Sequence, residues 1–380
     1  MIYFDNSSTT KPYQEVMDSF CKVSLEYFGN PSSLHSMGAK SEKLLFQARE
    51  QMARLLKVHT NEILFTSGGT ESNNIAIKGT ALMHRGRGRH LITTEIEHPS
   101  VRESMEQLKE LGFSITYIPV DHNGIINVND IADAITDETI LVSVMHVNNE
   151  IGSIQAIKAI GQLLKKYSKV LFHVDHVQGI GKVPLSISEC FVDLCTISGH
   201  KFHGLKGTGA LFIRNGVKIS SLISGGGQEW KLRSGTENVA GMVAMARALR
   251  LTFQQQEKHL DKMIKIKDCL RRELEMIQGV TIHTPLNHSA PHILNFSIKG
   301  FKAEVFVHAL EEKEMFVSTT SACSSKKQKA SSTLLAIGVP EDEAMSAIRI
   351  SLSYENTLEE AAQFIEAVKE TVIRLREVMK

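Results

Sequence analysis

At 380 residues the chain is longer than the usual single-core domain, so one large domain with a smaller partner is the first expectation. A content of 42% hydrophobic and 22% charged residues matches an ordinary globular protein and excludes a disordered chain, and a net charge of +1 excludes any general attraction to nucleic acid or anionic membrane. The start, Met1-Ile2-Tyr3-Phe4-Asp5-Asn6, has no basic leader, and no run approaches the roughly 18 apolar residues of a spanning helix, so a cytoplasmic protein acting on small molecules, with no membrane and no direct nucleic-acid partner, is expected. The five cysteines, at 21, 190, 195, 269 and 323, are odd in number and lack C-x-x-C spacing. They read as free thiols, with neither a disulfide framework nor a metal site.

In chain order, short apolar runs at residues 62–66, 90–96, 114–120, 139–147, 170–177, 194–198 and 209–214 alternate with amphipathic segments such as 101–111 and 156–167. This is the pattern of a mainly parallel sheet covered by helices. A long helical pattern then runs from residue 236 to about 277 and leads out of that domain. Beyond it the runs 280–284, 293–298 and 347–352 read as strands and 302–312 and 358–380 as helices, a smaller α+β unit. A ligand is expected between the two units, at the carboxyl ends of the sheet strands.

Two stretches carry chemistry. Phe65-Thr66-Ser67-Gly68-Gly69-Thr70-Glu71-Ser72 ends a strand and opens a helix, so its unpaired amides can cradle an anion such as a phosphate; taken alone it is equally an ordinary Gly-rich turn. No G-x-G-x-x-G follows a strand, and residues 199–204 have P-loop-like glycine spacing but Leu205 where a lysine is required. At Thr196-Ile197-Ser198-Gly199-His200-Lys201 a second strand ends in Ser, His and Lys, and Asp175 ends the preceding run. A pyridoxal cofactor needs a lysine as covalent anchor, a carboxylate to keep its ring nitrogen protonated and donors for its phosphate. This stretch supplies all three.

Ser198-Gly199-His200-Lys201 with His173-Val174-Asp175 resembles the cysteine desulfurases of the fold-type I, class V aminotransferase superfamily. The resemblance extends through Phe28-Gly29-Asn30-Pro31, Thr94-Glu95-Ile96-Glu97-His98, Met145-His146-Val147-Asn148-Asn149-Glu150-Ile151-Gly152, Arg233-Ser234-Gly235-Thr236, Ser321-Ala322-Cys323 and Ile348-Arg349-Ile350-Ser351. It implies a large domain (16–260) built on a mainly parallel seven-stranded sheet that binds pyridoxal 5'-phosphate, a small α+β domain (261–380) bearing the catalytic cysteine, and an N-terminal segment (1–15) joined to the small domain. It further implies that Lys201 anchors the cofactor, His98 stacks on its ring and shuttles protons, Asp175 faces the ring nitrogen, and Asn149 and Gln178 contact ring substituents. Gly69, Thr70, Ser198 and His200 would hold the phosphate, with Thr236 reaching it from the second subunit of a homodimer. Arg349, with Asn30, would bind the carboxylate of L-cysteine.

Cys323 lies in a small, polar stretch that reads as a mobile loop, and the resemblance makes it the thiol that receives sulfur as a persulfide; Lys326, Lys327 and Lys329 can increase its thiolate fraction. The other four cysteines lie at apolar helical or strand spacing, where buried, inert thiols are expected. Three features depart from the family pattern: His176 where a small residue is usual, Gly69 in place of alanine, and an end at Lys380 directly after the last helix. The last suggests a dedicated sulfur acceptor, a tRNA 4-thiouridine sulfurtransferase, with an iron-sulfur scaffold as the alternative. A class V aminotransferase acting on a small amino acid is the competing enzyme reading, and an idle binding partner with the same fold is a third.

Overall fold

The computed structural model describes residues 1–319 and 330–378. Strand β1 (Ile2–Tyr3) stands apart from the main sheet, which contains β2 (Ile63–Thr66), β3 (His90–Thr94), β4 (Ser114–Ile118), β5 (Thr139–Met145), β6 (Leu171–Asp175), β7 (Leu194–Ser198) and β8 (Gly209–Ile213). These seven strands lie in the order β2-β8-β7-β6-β5-β3-β4. Only β8 runs opposite to the other six. Every residue of β2, β3, β5, β7 and β8 is buried, because helices cover both faces. This is why these strands read as continuous apolar runs instead of alternating ones.

The two-residue period of a strand still sorts the side chains. Ile63, Phe65, Ile92, Val142, Val144, Phe172 and Val174 enter one core layer, with Leu45, Met52, Ile160 and Met245 from helices on that side. Leu64, Leu91, Leu141, Leu194 and Leu211 enter the opposite layer, against Ile75 and Ile77 of the helix Gly69–His84 and Val101 and Met105 of the helix Pro99–Glu110.

The remaining strands are β9 (Val280–Ile282), β10 (Ile293–Ile298), β11 (Met315–Phe316), β12 (Ser318–Thr319) and β13 (Ala347–Ser351). Four form an antiparallel sheet in the order β12-β13-β10-β9, while β11 pairs in parallel with β1. Ile2 and Phe4 enter the core of this smaller sheet together with Phe296, Ile348, Ile350 and Phe364. The helix Val239–Glu275 belongs to both halves: Met242, Met245 and Leu249 pack on the main core, and Met263, Ile266 and Leu270 on the second.

Strand register positions the site. Met145 pairs with Asp175, Asp175 with Thr196, Ser198 with Gly209, and Gly209 with Thr66, so the carboxyl ends of β2, β5, β6 and β7 lie side by side. A side chain at Gly209 would collide with the Gly68 backbone, 2.5 Å from the position a Cβ would take. The close approach of β8 to the turn after β2 therefore requires glycine there.

The helices Gln14–Glu26 and Ser36–Leu56 add two elements ahead of β2. One expectation changes. Cys190 and Cys195 are buried, but Cys21 is exposed and Cys269 only half-buried. Cys21 sits on the solvent side of a helix whose buried residues are Val16 and Val23, one full repeat of seven apart.

Candidate active site

One cavity of about 230 Å³ opens at these strand ends. Ser198 and Lys201 reach it from the end of β7 and the 3-10 turn that follows, and Asp175 from the end of β6. Gly69, Thr70, His98, Asn149, Gln178, His200 and Arg349 also line it. The helix Gly69–His84 begins after Gly68 without any side-chain cap, so its first amides are left for a ligand. A Cβ at Gly69 would stand 3.0 Å from Val177 Cγ2, which makes even an alanine tight in this cradle.

Asp175 is buried and held at both oxygens, by the amide of Val177 at 3.0 Å and by Asn73 Nδ2 at 2.8 Å. Asn73 also donates to Ser100 Oγ at 2.8 Å, and that hydroxyl lies 2.8 Å from His98 Nδ1. Because the amide of Ser100 donates to Nδ1 at 3.1 Å, a neutral His98 carries its proton on Nε2. Burial lowers the pKa of His98, and the Lys201 charge acts in the same direction against the pull of Asp175. Burial and neighbouring lysines likewise bring His200 down to about 4.

Lys201 Nζ donates to the carbonyls of Ser7 and Ser8, the latter at 2.8 Å. Ser7 also accepts from Gln178 Nε2 at 3.0 Å, while Gln178 Oε1 is buried without a partner. Arg349 is buried, with Nη1 donating to the Asn149 carbonyl at 2.9 Å and Nη2 to Asp5 Oδ1 at 3.1 Å and Ser8 Oγ at 2.7 Å; its Nε has no partner. The turn that offers Asn149 is built by its neighbour: Asn148 Oδ1 accepts the amides of Glu150 at 2.8 Å and Ile151 at 2.9 Å, and Gly152 closes the turn at a φ of 76°.

Asn30 and Thr236 lie outside this cavity and are exposed, and Asn30 Oδ1 is used by the amide of Ser32 at 2.9 Å. Thr236 follows Arg233, whose Nε pairs at 2.8 Å with Glu71 in the first turn of the cradle helix. Cys323 lies outside the described residues. His176 does not line the cavity; it is buried behind Asp175, with Nδ1 2.9 Å from Nδ1 of His146. Sequence reasoning missed Asn73, Ser100, Ser7, Ser8 and Lys182, a buried lysine that donates to the Lys201 carbonyl at 2.8 Å and that burial brings down to about 7. Asn73 had a signal, being four residues after Gly69 on the same helix face. Ser7 and Ser8 act mainly through backbone carbonyls and had none.

The aminotransferase class-V family model matches residues 2–364. The chain belongs to that family. It is 47% identical over 372 residues to a NifS/IcsS protein homolog of Lactobacillus delbrueckii subsp. bulgaricus, covering 97% of each chain. It is 42% identical over 380 residues to the cysteine desulfurase IscS of Clostridium botulinum, covering 99% of this chain and 96% of the relative. A solved structure of a NifS-like protein superimposes with a TM-score of 0.92 at 39% identity, covering 98% of this chain and 99% of that one. Class-V aminotransferases of this kind depend on pyridoxal 5'-phosphate. The donor set here fits that group: uncapped amides with Ser198 and His200 for a phosphate, Asp175 for a ring nitrogen, Lys201 for covalent attachment, and the His98 ring beside them. Among the described residues no His, Cys, Asp and Glu cluster could hold a metal, and no helix is long and apolar enough to cross a membrane.

Proposed function

We propose that the chain removes sulfur from L-cysteine, releasing L-alanine and leaving a persulfide on Cys323. The observation that carries this reading is the convergence of Lys201, Asp175, His98 and Arg349 on one cavity. The names of its relatives, cysteine desulfurase among them, support it. Bound in the cavity, pyridoxal phosphate supplies an electron sink for the carbon atoms of the amino acid. Gly69, Thr70, Ser198 and His200 hold its phosphate, Asp175 keeps its ring nitrogen protonated, Asn149 and Gln178 meet ring substituents, and Lys201 anchors it.

Arg349 receives the cysteine carboxylate, an assignment supported by its unpartnered Nε. The Lys201 amine and the neutral His98 would move protons at the substrate carbon atoms. The Cys323 thiolate then attacks the substrate sulfur. An S–S bond forms, the C–S bond breaks with its electron pair left on Cβ, and Cβ takes up a proton. Cysteine and one thiol thus become alanine and one persulfide, with no external oxidant or reductant.

A homodimer completes the site in this reading. Thr236 is exposed and lies outside the lining of its own cavity, as a residue serving a second chain would be. Phe46 and Trp230 expose apolar surface around a groove shared with Pro31, a face suited to burial against another copy. From Cys323 the sulfur passes by thiol exchange to an acceptor protein, which requires only access and a thiolate. A tRNA 4-thiouridine sulfurtransferase is the acceptor we favour, and an iron-sulfur scaffold the alternative. Labelled-sulfur transfer to each decides between them.

The deciding test is Cys323→Ser. It should still change its visible spectrum on adding cysteine, yet form neither persulfide nor alanine catalytically. Wild-type alanine formation would move the nucleophile elsewhere, and keto-acid production from other amino acids would favour an aminotransferase.

A further inference from the structure

Residues 320–329 carry Cys323, and the chain on both sides of them is tied to the neighbourhood of one side chain. On the entering side, β12 pairs with β13 so that Ser318 lies opposite Arg349 and Thr319 opposite Ile348. On the returning side, Ser331 Oγ donates to Glu150 Oε2, and Thr333 Oγ1 donates to Glu150 Oε1 at 3.4 Å. Glu150 is next to Asn149, whose carbonyl accepts from Arg349 Nη1 at 2.9 Å.

This return anchor is built rather than incidental. Ser331 Oγ also accepts the amide of Leu334 at 3.1 Å and so caps the short helix Ser332–Ala336. Leu334 is fully buried with Ile151, Ala344 and Ala347, with Ala330 packed against them. Asn148 fixes the backbone of Glu150 from one side, and Asn295 Nδ2 donates to its carbonyl at 3.2 Å from the other. Arg349 makes its ion pair with Asp5, so Glu150 is not needed as its counter-ion. Burial raises the Glu150 pKa, with the two hydroxyls and Arg349 acting in the opposite direction.

Chain length makes the second anchor matter. Cys323 is four residues beyond Thr319, a reach of at most about 14 Å, and eight before Ser331, a reach of at most about 29 Å. One tether alone leaves the thiol a wide shell of positions; two tethers leave their overlap, and attack on the substrate sulfur needs the reacting atoms about 3–3.5 Å apart.

We propose that Glu150 is a positioning residue for sulfur transfer, fixing the return end of the Cys323-bearing segment to the loop that holds Arg349. This rests on Cys323 being the sulfur acceptor. The test compares Glu150→Ala, Glu150→Gln and Ser331→Ala, each loaded with cofactor. Glu150→Ala should slow persulfide formation on Cys323 about tenfold or more, since misplacement of a reacting group by about 1 Å can cost up to a hundredfold. The cysteine KM should stay within about threefold, because the carboxylate contacts of Arg349 are kept. Glu150→Gln, whose amide oxygen still accepts from Ser331, should restore most of the rate. Ser331→Ala should reproduce the loss, and the double variant should be no worse than either single one, as for two halves of one contact. In cofactor-free protein, hydrogen exchange of the amides in residues 331–338 should accelerate in Glu150→Ala and not in Glu150→Gln. An unchanged persulfide rate in Glu150→Ala and Ser331→Ala, with Cys323→Ser inactive, overturns the positioning role and leaves the nucleophile assignment standing. Alanine formation surviving in Cys323→Ser overturns the assignment beneath it.

Discussion

Replacing Arg349 by lysine separates substrate recognition from a purely structural ion pair. Arg349 already has three acceptors, the Asn149 carbonyl, Asp5 Oδ1 and Ser8 Oγ, at 2.7–3.1 Å, and a buried Nε with none. A lysine keeps the charge but offers a point donor in place of a planar fork, so it cannot bind these acceptors and a carboxylate together. Losing one charge-assisted hydrogen bond to the substrate costs about 1.5–3 kcal/mol. At about 1.4 kcal/mol per decade, this is roughly a ten- to hundredfold fall in kcat/KM. The loss should appear mainly in KM, because the carboxylate contact is the same in the ground state and the transition state. The assay is alanine formation against cysteine concentration, paired with binding of cysteamine, which lacks the carboxylate, followed through the cofactor's absorbance. Arg349→Lys should weaken cysteine and leave cysteamine nearly unaffected. If the two ligands lose affinity equally, or if KM for cysteine is unchanged, Arg349 does not read the carboxylate and its bond to Asp5 is its whole role.

Lys201→Ala should abolish turnover with only a small fall in thermal midpoint, since it removes the proposed anchor of the cofactor but little beyond two hydrogen bonds to the Ser7 and Ser8 carbonyls; residual cysteine turnover would refute the assignment. His176→Ala should keep most of the activity, because its ring meets His146 and stays out of the cavity; a loss as deep as that of Lys201→Ala would give the imidazole a catalytic role. Acid should destabilise the fold through buried neutral imidazoles. His173 is fully buried between Ser143 and Thr196 hydroxyls and is lowered from 6.5 to about 4. Its contribution is complete above pH 6.5 and is lost as pH falls toward 4, because the unfolded chain binds the proton first. Between roughly pH 7 and pH 5 this one group should cost about 2 kcal/mol. Urea midpoints of wild type and His173→Gln at both pH values test this: an equally steep loss in the variant would remove His173 as a cause.

The legible part of the fold follows from how burial writes itself into sequence. Strands buried on both faces need apolar residues at consecutive positions, so β2, β3, β5, β7 and β8 stand out, and the ends of all seven strands of the main sheet differ from the expected ones by only a few residues. The helix Ser36–Leu56 did not stand out, because its buried face includes Gly38, Ser41 and Arg49 among its apolar residues. Arg49 is buried only because Glu229, 180 residues away, meets it with two oxygens, and because its guanidinium lies over the rings of Phe65 and Trp230. A charge neutralised by a distant partner looks like a surface residue until the chain is folded. Strands of two residues, such as β1, β11 and β12, are too short to carry any period.

The site divides along a different line. The cavity residues with distinctive side chains near strand ends, Lys201, Asp175 and His98, are readable because few structural roles need those residue types there. Groups that act through backbone or through common polar side chains are not. Ser7 and Ser8 offer carbonyls to Lys201 because β1 is pinned to β11, which swings the N-terminal segment across the strand ends. Glu150 reaches Ser331 because Ile151 and Leu334 share an apolar cluster. In each case the packing of the smaller sheet against the larger one decides which polar atoms meet. Removing buried apolar surface at that junction should therefore alter catalysis as well as stability. Leu334→Ala, which empties a fully buried position beside Ile151, would cost about 2–5 kcal/mol locally and release the Ser331 anchor with it. It should slow persulfide formation as Glu150→Ala does, while cofactor binding is kept, because Gly69, Thr70, Asp175, Ser198 and Lys201 stand at the strand ends of the larger sheet. Loss of cofactor in Leu334→Ala would mean that the two sheets do not divide the work in this way.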